Sequence, residues 1–333
     1  MIELGIGFAL LSGICNGLFT TPMKLIPRWK WENIWLVFIV TSCLIAPLGL
    51  VICTVPDFPR VFAAAPPQAV SCALLFGFAW GFGAICFGQS VSRLGVSLAN
   101  TIVIGLSSAL GSLVPLALSG QFGFERRHFL LYAGVVAFLF GVWICGRAGL
   151  KRGLEAGPAV GGASWTGYLL ALGAGVMSAI FNIGYTLALP IAETGKQMGY
   201  SSFYATNCIW VLMLGAGSIP NIAYCALLAR RNNSVGLFVS NRPSRAWMLS
   251  LLMGVLWGGS IFLYGAATPL LGDIGPSIGW PLSLATGLLT ANLMGFLLRE
   301  WHSAARDTIR TMLLGIGLLL VAVALCALST KAA

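Results

Sequence analysis

The 333-residue sequence predicts an all-α integral membrane protein, with ten transmembrane helices in two inverted five-helix repeats. Three observations carry this fold class. The chain is 58% hydrophobic and only 8% charged, where a soluble domain carries about 25% charged residues. Its charges are gathered between ten long windows that contain no Asp, Glu, Lys or Arg. One Gly/Trp frame also occurs twice, as GFAWGFGAICFGQSVSRLG from Gly77 and GVLWGGSIFLYGAATPLLG from Gly254.

The windows define the elements in order. The first five lie between Glu3 and Lys24, Glu32 and Asp57, Arg60 and Arg93, Arg93 and Glu125, and Arg127 and Arg147. The second five lie between Glu155 and Glu193, Lys196 and Arg230, Arg245 and Asp273, Asp273 and Arg299, and Arg310 and Lys331. Each holds enough residues to cross ~30 Å of hydrocarbon as a helix. In lipid each must be a helix, because unpaired backbone groups find no water there. The stretch GLKRGLEAGPAVGGAS, from Gly149 to Ser164, separates five spans from five. The expected organisation is a first repeat over 1–150, a linker over 151–164 and a second repeat over 165–333.

Charge sets the orientation. The net charge of +10 does not indicate nucleic acid, because the basic residues sit in short connections between spans. With the N-terminus outside, 14 of the 19 Lys and Arg fall on the cytoplasmic side, as the positive-inside rule requires. Both termini are then expected outside, and the 151–164 linker in the cytoplasm. The first span carries Glu3 and no basic leader, and Lys24, Arg28 and Lys30 follow it. This pattern fits a retained span better than a cleaved signal.

An odd number of spans per half makes the second half enter the membrane in the opposite sense, the definition of an inverted repeat. Gly77, Trp80, Gly81, Gly88, Leu94 and Gly95 recur 177 residues on as Gly254, Trp257, Gly258, Gly265, Leu271 and Gly272. A second echo pairs Ser12-Gly-Ile-Cys-Asn16 with Ser178-Ala-Ile-Phe-Asn182. Arg93 follows span 3, and its repeat partner after span 8 is the uncharged Leu270. That loss is what inversion predicts. Gly77 and Gly81, like Gly254 and Gly258, stand i,i+4 on one helix face, where small residues let backbones approach in lipid. Gly88, Gly95, Gly265 and Gly272 are expected to frame the turns into spans 4 and 9.

Trp80 and Trp257 fall near the middle of their windows. Lipid-exposed Trp prefers the headgroup interface, so mid-span indoles are expected to face inward, either as packing or as cavity lining. Amides and hydroxyls within spans are costly unless paired or wetted, and at least half are expected only to bridge helices. The substrate-contact candidates are Trp80, Asn16, Asn182, Trp257, Trp280, Gln89, Asn100 and Asn207, expected around one cavity about which the halves rock. Asn16 and Asn182 lead them because they recur at matching positions. No Lys or Arg lies mid-span to hold a phosphate, and no Asp or Glu to hold a cation. The ligand is therefore expected to be a neutral, hydroxyl-rich molecule, a monosaccharide or another small neutral metabolite.

The nine cysteines form no Cys-x-x-Cys pair and lie mostly in apolar windows, the pattern of small buried hydrophobes. No metal or cofactor is implied. No nucleophile elbow, His-Glu-x-x-His or Walker loop is present, so an enzyme is not expected.

These motifs also carry a resemblance. Phe19-x-x-Pro22-x-Lys24, Trp29-x-Trp31-Glu32-x-x-Trp35, Gly77-x-x-Trp80-Gly81-x-Gly83, Gly88, Leu94-Gly95-x-Ser97, Arg147-Ala148-Gly149 and Arg299-Glu300-Trp301 resemble the L-rhamnose–proton symporter family of the drug/metabolite transporter superfamily. The likeness spans nearly the whole chain and is sharpest in spans 1 to 4. It implies the drug/metabolite transporter fold with ten helices in two inverted halves, a bacterial inner membrane and import of a sugar with protons. The outside expected for both termini from charge is then the periplasm, and the inverted halves are expected to work by alternating access. A carrier or exporter of another neutral metabolite is the alternative. The family pattern places an acid just before the Trp that opens span 9. Here that segment reads Gly275-Pro276-Ser277-Ile278-Gly279-Trp280, and the nearest acid is Asp273. The candidates for the coupled proton are Glu32, Asp273 and Glu193, all near span ends.

Overall fold

The structure is a computed structural model that describes residues 1–94, 96–120, 123–155, 165–239, 244–299 and 301–330. Among these residues it is helical, without strands. Among the described residues, ten helices are long and apolar enough to cross a membrane. They are α1 (Ile2–Leu18), α2 (Trp31–Thr54), α4 (Pro67–Leu94), α5 (Val96–Leu118), α6 (Arg126–Glu155), α7 (Trp165–Gln197), α8 (Ser202–Arg231), α9 (Ser244–Ala267), α10 (Gly275–Leu297) and α11 (Arg306–Ser329). A short helix, α3 (Phe58–Ala64), follows α2. The ten charge-free windows and the ten long helices coincide, because lipid leaves the backbone no other way to satisfy its hydrogen bonds.

Local chemistry sets the helix ends. Ser201 caps α8, its hydroxyl accepting the Tyr204 N–H at 3.3 Å. The α9–α10 turn needs Gly272, whose φ of +84° suits glycine. Glu155 closes α6 on the start of α11: its carboxylate accepts the Ala305 N–H at 2.9 Å and the Thr308 hydroxyl at 2.6 Å. An acidic group there also complements the helix dipole. Gly88 and Gly265 do not frame turns, as the frame alone suggested; both lie inside helices, α4 and α9. The helical hydrogen-bonded ladder carries the chain past both residues, and α9 ends at Ala267, just before Pro269. Gly95, Glu300 and residues 156–164 of the expected linker lie outside the described residues, and α6 runs on to Glu155.

The chain forms two compact units. Unit 1 comprises Met1–Gly17, Gly83–Ile183 and Ala267–Ala333; unit 2 comprises Leu18–Phe82 and Gly184–Ala266. In unit 1, Ala9, Leu116, Leu131, Val135, Ile278 and Leu282 form one buried cluster. Phe138, Val142, Ala285, Leu319 and Ala322 form another. Helices α6 and α11 pack closely, with the Cys326 sulfur and Leu319 side chain filling the space above Gly134 and Gly141. In unit 2, Tyr185 and Trp210 stack at 4.6 Å with Tyr264 beside them, all three buried. Such aromatic pairs add about 0.5–1.5 kcal/mol beyond their buried area.

Candidate functional site

In unit 2 the two repeated tryptophans meet. The Trp80 and Trp257 rings stack at 5.3 Å with an interplanar angle of 13°, and both are half-buried. Each is delivered by its glycines. A Cβ on Gly77 or Gly81 would fall on the Met213 or Gly217 carbonyl oxygen, so α4 lies directly on α8. A Cβ on Gly254 would reach the Thr41 Cβ at 2.6 Å, which brings α9 against α2. Gly217 makes room under the Trp80 ring, and Phe38 sets its edge on Trp257 at 5.8 Å. Asn221 clamps this arrangement. Its Nδ2 donates to the Gly81 and Gly217 carbonyls at 2.9 and 3.0 Å, and its Oδ1 accepts the Trp35 Nε1–H at 3.1 Å.

The other unit 2 candidates stand elsewhere. Asn207 is buried in α8, one turn before Trp210, and neither amide atom has a hydrogen-bond partner among the described residues. Glu193 is exposed and pairs with Lys196 at 2.6 Å. Glu32 is buried at the start of α2, where Oε1 accepts from Asn232 Nδ2 at 3.0 Å and from the Ser234 hydroxyl at 2.8 Å. Asn33 donates to Ser234 O, Lys30 to Asn232 O and Trp29 to Leu237 O, at 2.8–3.0 Å. Glu32 therefore anchors the 232–238 segment to the start of α2.

In unit 1, Asn182 and Trp280 converge on α5. Pro115 has no N–H, which leaves the Gly111 carbonyl without its helical donor. Asn182 Nδ2 supplies one at 2.7 Å and also reaches Pro276 O at 3.2 Å. Trp280 Nε1 donates to Ser107 O at 3.1 Å, with Phe181 6.3 Å from its ring. Two serine pairs bridge helices here: Ser12 to Ser283 at 2.8 Å and Ser107 to Ser178 at 2.9 Å. Asn16, Gln89 and Asn100 are half-buried, and Gln89 accepts from Arg93 at 2.9 Å. Asp273 is exposed in the α9–α10 turn.

The structure thus brings together Trp80 with Trp257, and Asn182 with Trp280. The sequence pattern does not mark Asn221, Trp35 or Ser178 as site residues. Pro220 beside Asn221, a helix breaker beside an amide within a span, was the available signal.

Ten apolar helices with amides and indoles paired inside them define a multi-pass membrane protein. The model of the L-rhamnose-proton symport protein family matches residues 1–332, and the chain belongs to that family. The family is one of symporters, transport proteins rather than enzymes. The chain is 28% identical to the L-rhamnose-proton symporter of Klebsiella pneumoniae strain 342, and 30% identical to that of Cronobacter sakazakii. It is 27% identical to that of Escherichia coli strain 55989, and each match covers 96% of both chains. A solved crystal structure shares the fold with a TM-score of 0.54 at 16% identity, covering 99% of this chain and 95% of its own.

Proposed function

We propose that this protein imports L-rhamnose with protons across a bacterial inner membrane by alternating access. The observation that carries the reading is family membership along residues 1–332, with relatives named L-rhamnose-proton symporters at both chains' near-full length. Within unit 2, the half-buried Trp80–Trp257 stack is the proposed contact for the apolar C–H face of the sugar. A proton entering down a membrane potential brings about 2.3 kcal/mol per 100 mV. At about 1.4 kcal/mol per factor of ten, that supports roughly 50-fold accumulation.

The inverted repeat, with halves 1–150 and 165–333 joined by a cytoplasmic linker and both termini periplasmic, is part of the proposal. Packing supports it. The Ser12–Ser283 bond joins the first helix of one half to the fourth of the other, and Ser178–Ser107 does the same with the halves exchanged. Gly77 and Gly81 pack on Met213 and Gly217, while Gly254 and Gly258 pack on Thr41 and Ser42: third helix against second, both ways. The breaks between the units after Gly17 and after Ile183 are 166 residues apart, the same offset as Asn16 to Asn182.

Labelled L-rhamnose uptake into vesicles tests the function. Accumulation is expected to collapse to equilibrium when a protonophore removes the gradient; accumulation that survives it would rule out proton symport. Trp80→Ala is expected to weaken L-rhamnose binding at least tenfold, by loss of about 1.4 kcal/mol, while the purified protein stays monodisperse. Unchanged binding removes the indole from the site. A C-terminal reporter active only in the cytoplasm would overturn the topology.

A further inference from the structure

Two side chains of the Asp, Glu, His, Lys and Arg set are buried among the described residues: Glu32 and His128. Glu32 is occupied by Asn232 and Ser234. His128 differs. It lies in the first turn of α6, 2% exposed, and neither Nδ1 nor Nε2 has a hydrogen-bond partner among the described residues. Leaving a buried polar group without a partner is costly. One that persists calls for an occupant or a function.

The surroundings of the ring fit a proton. Gly123 lies directly over it, with space for a Cβ only 2.9 Å from the imidazole Cε1. The Tyr132 hydroxyl holds that segment in place, donating to Gly123 O at 3.0 Å. The Glu125 carboxylate stands 4.0 Å from Nδ1 and is shared with Arg127 at 3.0 Å. It is mostly exposed, so it is free to swing toward a charged imidazole. Tyr132 and Arg126 are the other ionisable groups on this stretch of α6. The neighbouring elements of the Leu131 cluster add Glu3 on α1, Asp273 in the α9–α10 turn and Cys326 on α11. Among the described residues, Glu125 alone comes within ion-pair distance of His128. Imidazole is also the side chain whose ordinary titration falls between about pH 5 and 8.

We propose that His128 is the residue that binds the coupled proton. One N–H bond forms at a ring nitrogen on uptake and the same bond breaks on release; no other bond changes. The added charge acts on transport through packing. His128 is carried by α6, whose Leu131 and Val135 share one buried cluster with Ala9 of α1 and with Ile278 and Leu282 of α10. Those two helices are joined by Ser12 and Ser283. The proposal rests on the proton-symport reading.

Proteoliposomes test it with two assays on the full chain. His128→Gln is expected to reduce gradient-driven L-rhamnose accumulation from tens-fold to about onefold, while sugar-for-sugar counterflow, which needs no net proton movement, continues. Accumulation at the wild-type level in His128→Gln would overturn the proposal. A variant that fails both assays is resolved by a second measurement that leaves His128 in place. The chain has two histidines, so untagged His302→Gln protein carries a single imidazole. Its 15N imidazole spectrum, recorded at fixed pH, is expected to show a change of protonation state when L-rhamnose is added. A ring signal indifferent to the sugar would overturn the assignment. Wild-type protein that shows no gradient-driven accumulation would instead remove the symport reading itself, a separate result from coupling that survives His128→Gln.

Discussion

Helix α4 meets α8 through Gly77 and Gly81, and α9 meets α2 through Gly254 and Gly258. The two contacts share an i,i+4 glycine pair and a tryptophan one residue before the second glycine, yet they are not equally tight. At the first, backbone carbonyls of Met213 and Gly217 occupy the space a Cβ would need. At the second, Gly254 faces the Thr41 side chain at 2.6 Å, and Gly258 has ordinary contact with Ser42 at 3.5 Å. The partner helices explain the difference. α8 stays α-helical through the contact although it contains Pro220, and its carbonyls stand close under α4. α2 is interrupted there by a π-helical turn, Val40–Ile45, which widens the helix locally. The same glycine frame permits close approach in both places, and the partner's backbone decides how much of it is used.

The largest expected effect therefore lies at the α4–α8 contact. Gly77→Ala or Gly81→Ala should destabilise the folded protein by about 1–3 kcal/mol each, because a backbone carbonyl cannot rotate away. The double variant should not purify as a monodisperse species. Unfolding in mixed detergent micelles measures the single changes; wild-type stability in either would refute the backbone contact. Next is Asn221→Ala, which removes the clamp that only this contact has. It strands the buried Trp35 indole N–H, and a loss of about 1–3 kcal/mol is expected. Asn221→Asp keeps the acceptor for Trp35 but loses the donors to Gly81 and Gly217. If it matched wild type, the amide donors would be irrelevant to the α4–α8 contact.

The sequence shows the frame plainly and the difference not at all. Ten spans follow from charge-free windows, since lipid allows one backbone solution for each. The close approach at Gly77 follows from small residues at helical spacing. The π turn at Val40–Ile45 leaves no composition signal, because VTSCLI reads as one more apolar stretch. Pairings such as Asn221 with Gly81, 140 residues apart, depend on which helices become neighbours. That is set by packing across the bundle rather than by any local pattern. Glu32 and His128 show the same limit. Both sit near span ends, where a charge is normally solvated, and burial became visible only once the 232–238 segment and Gly123 were folded over them.

The weaker contact gives the smaller effects and the sharper test. Gly254→Ala should cost about 1–2 kcal/mol, within the overpacking range, because the Thr41 Cβ at 2.6 Å is fixed to its backbone and α2 must yield slightly to admit the new methyl. Gly258→Ala meets nothing closer than 3.5 Å, and alanine is the better helix former. Its stability should stay within about 0.5 kcal/mol of wild type or rise. Equal losses for Gly258→Ala and Gly81→Ala would mean the two contacts are alike after all, and that the π turn in α2 does not relax the packing. A graded series, with Gly81 most sensitive and Gly258 least, would instead tie tolerance at each glycine to the backbone geometry of the helix across from it.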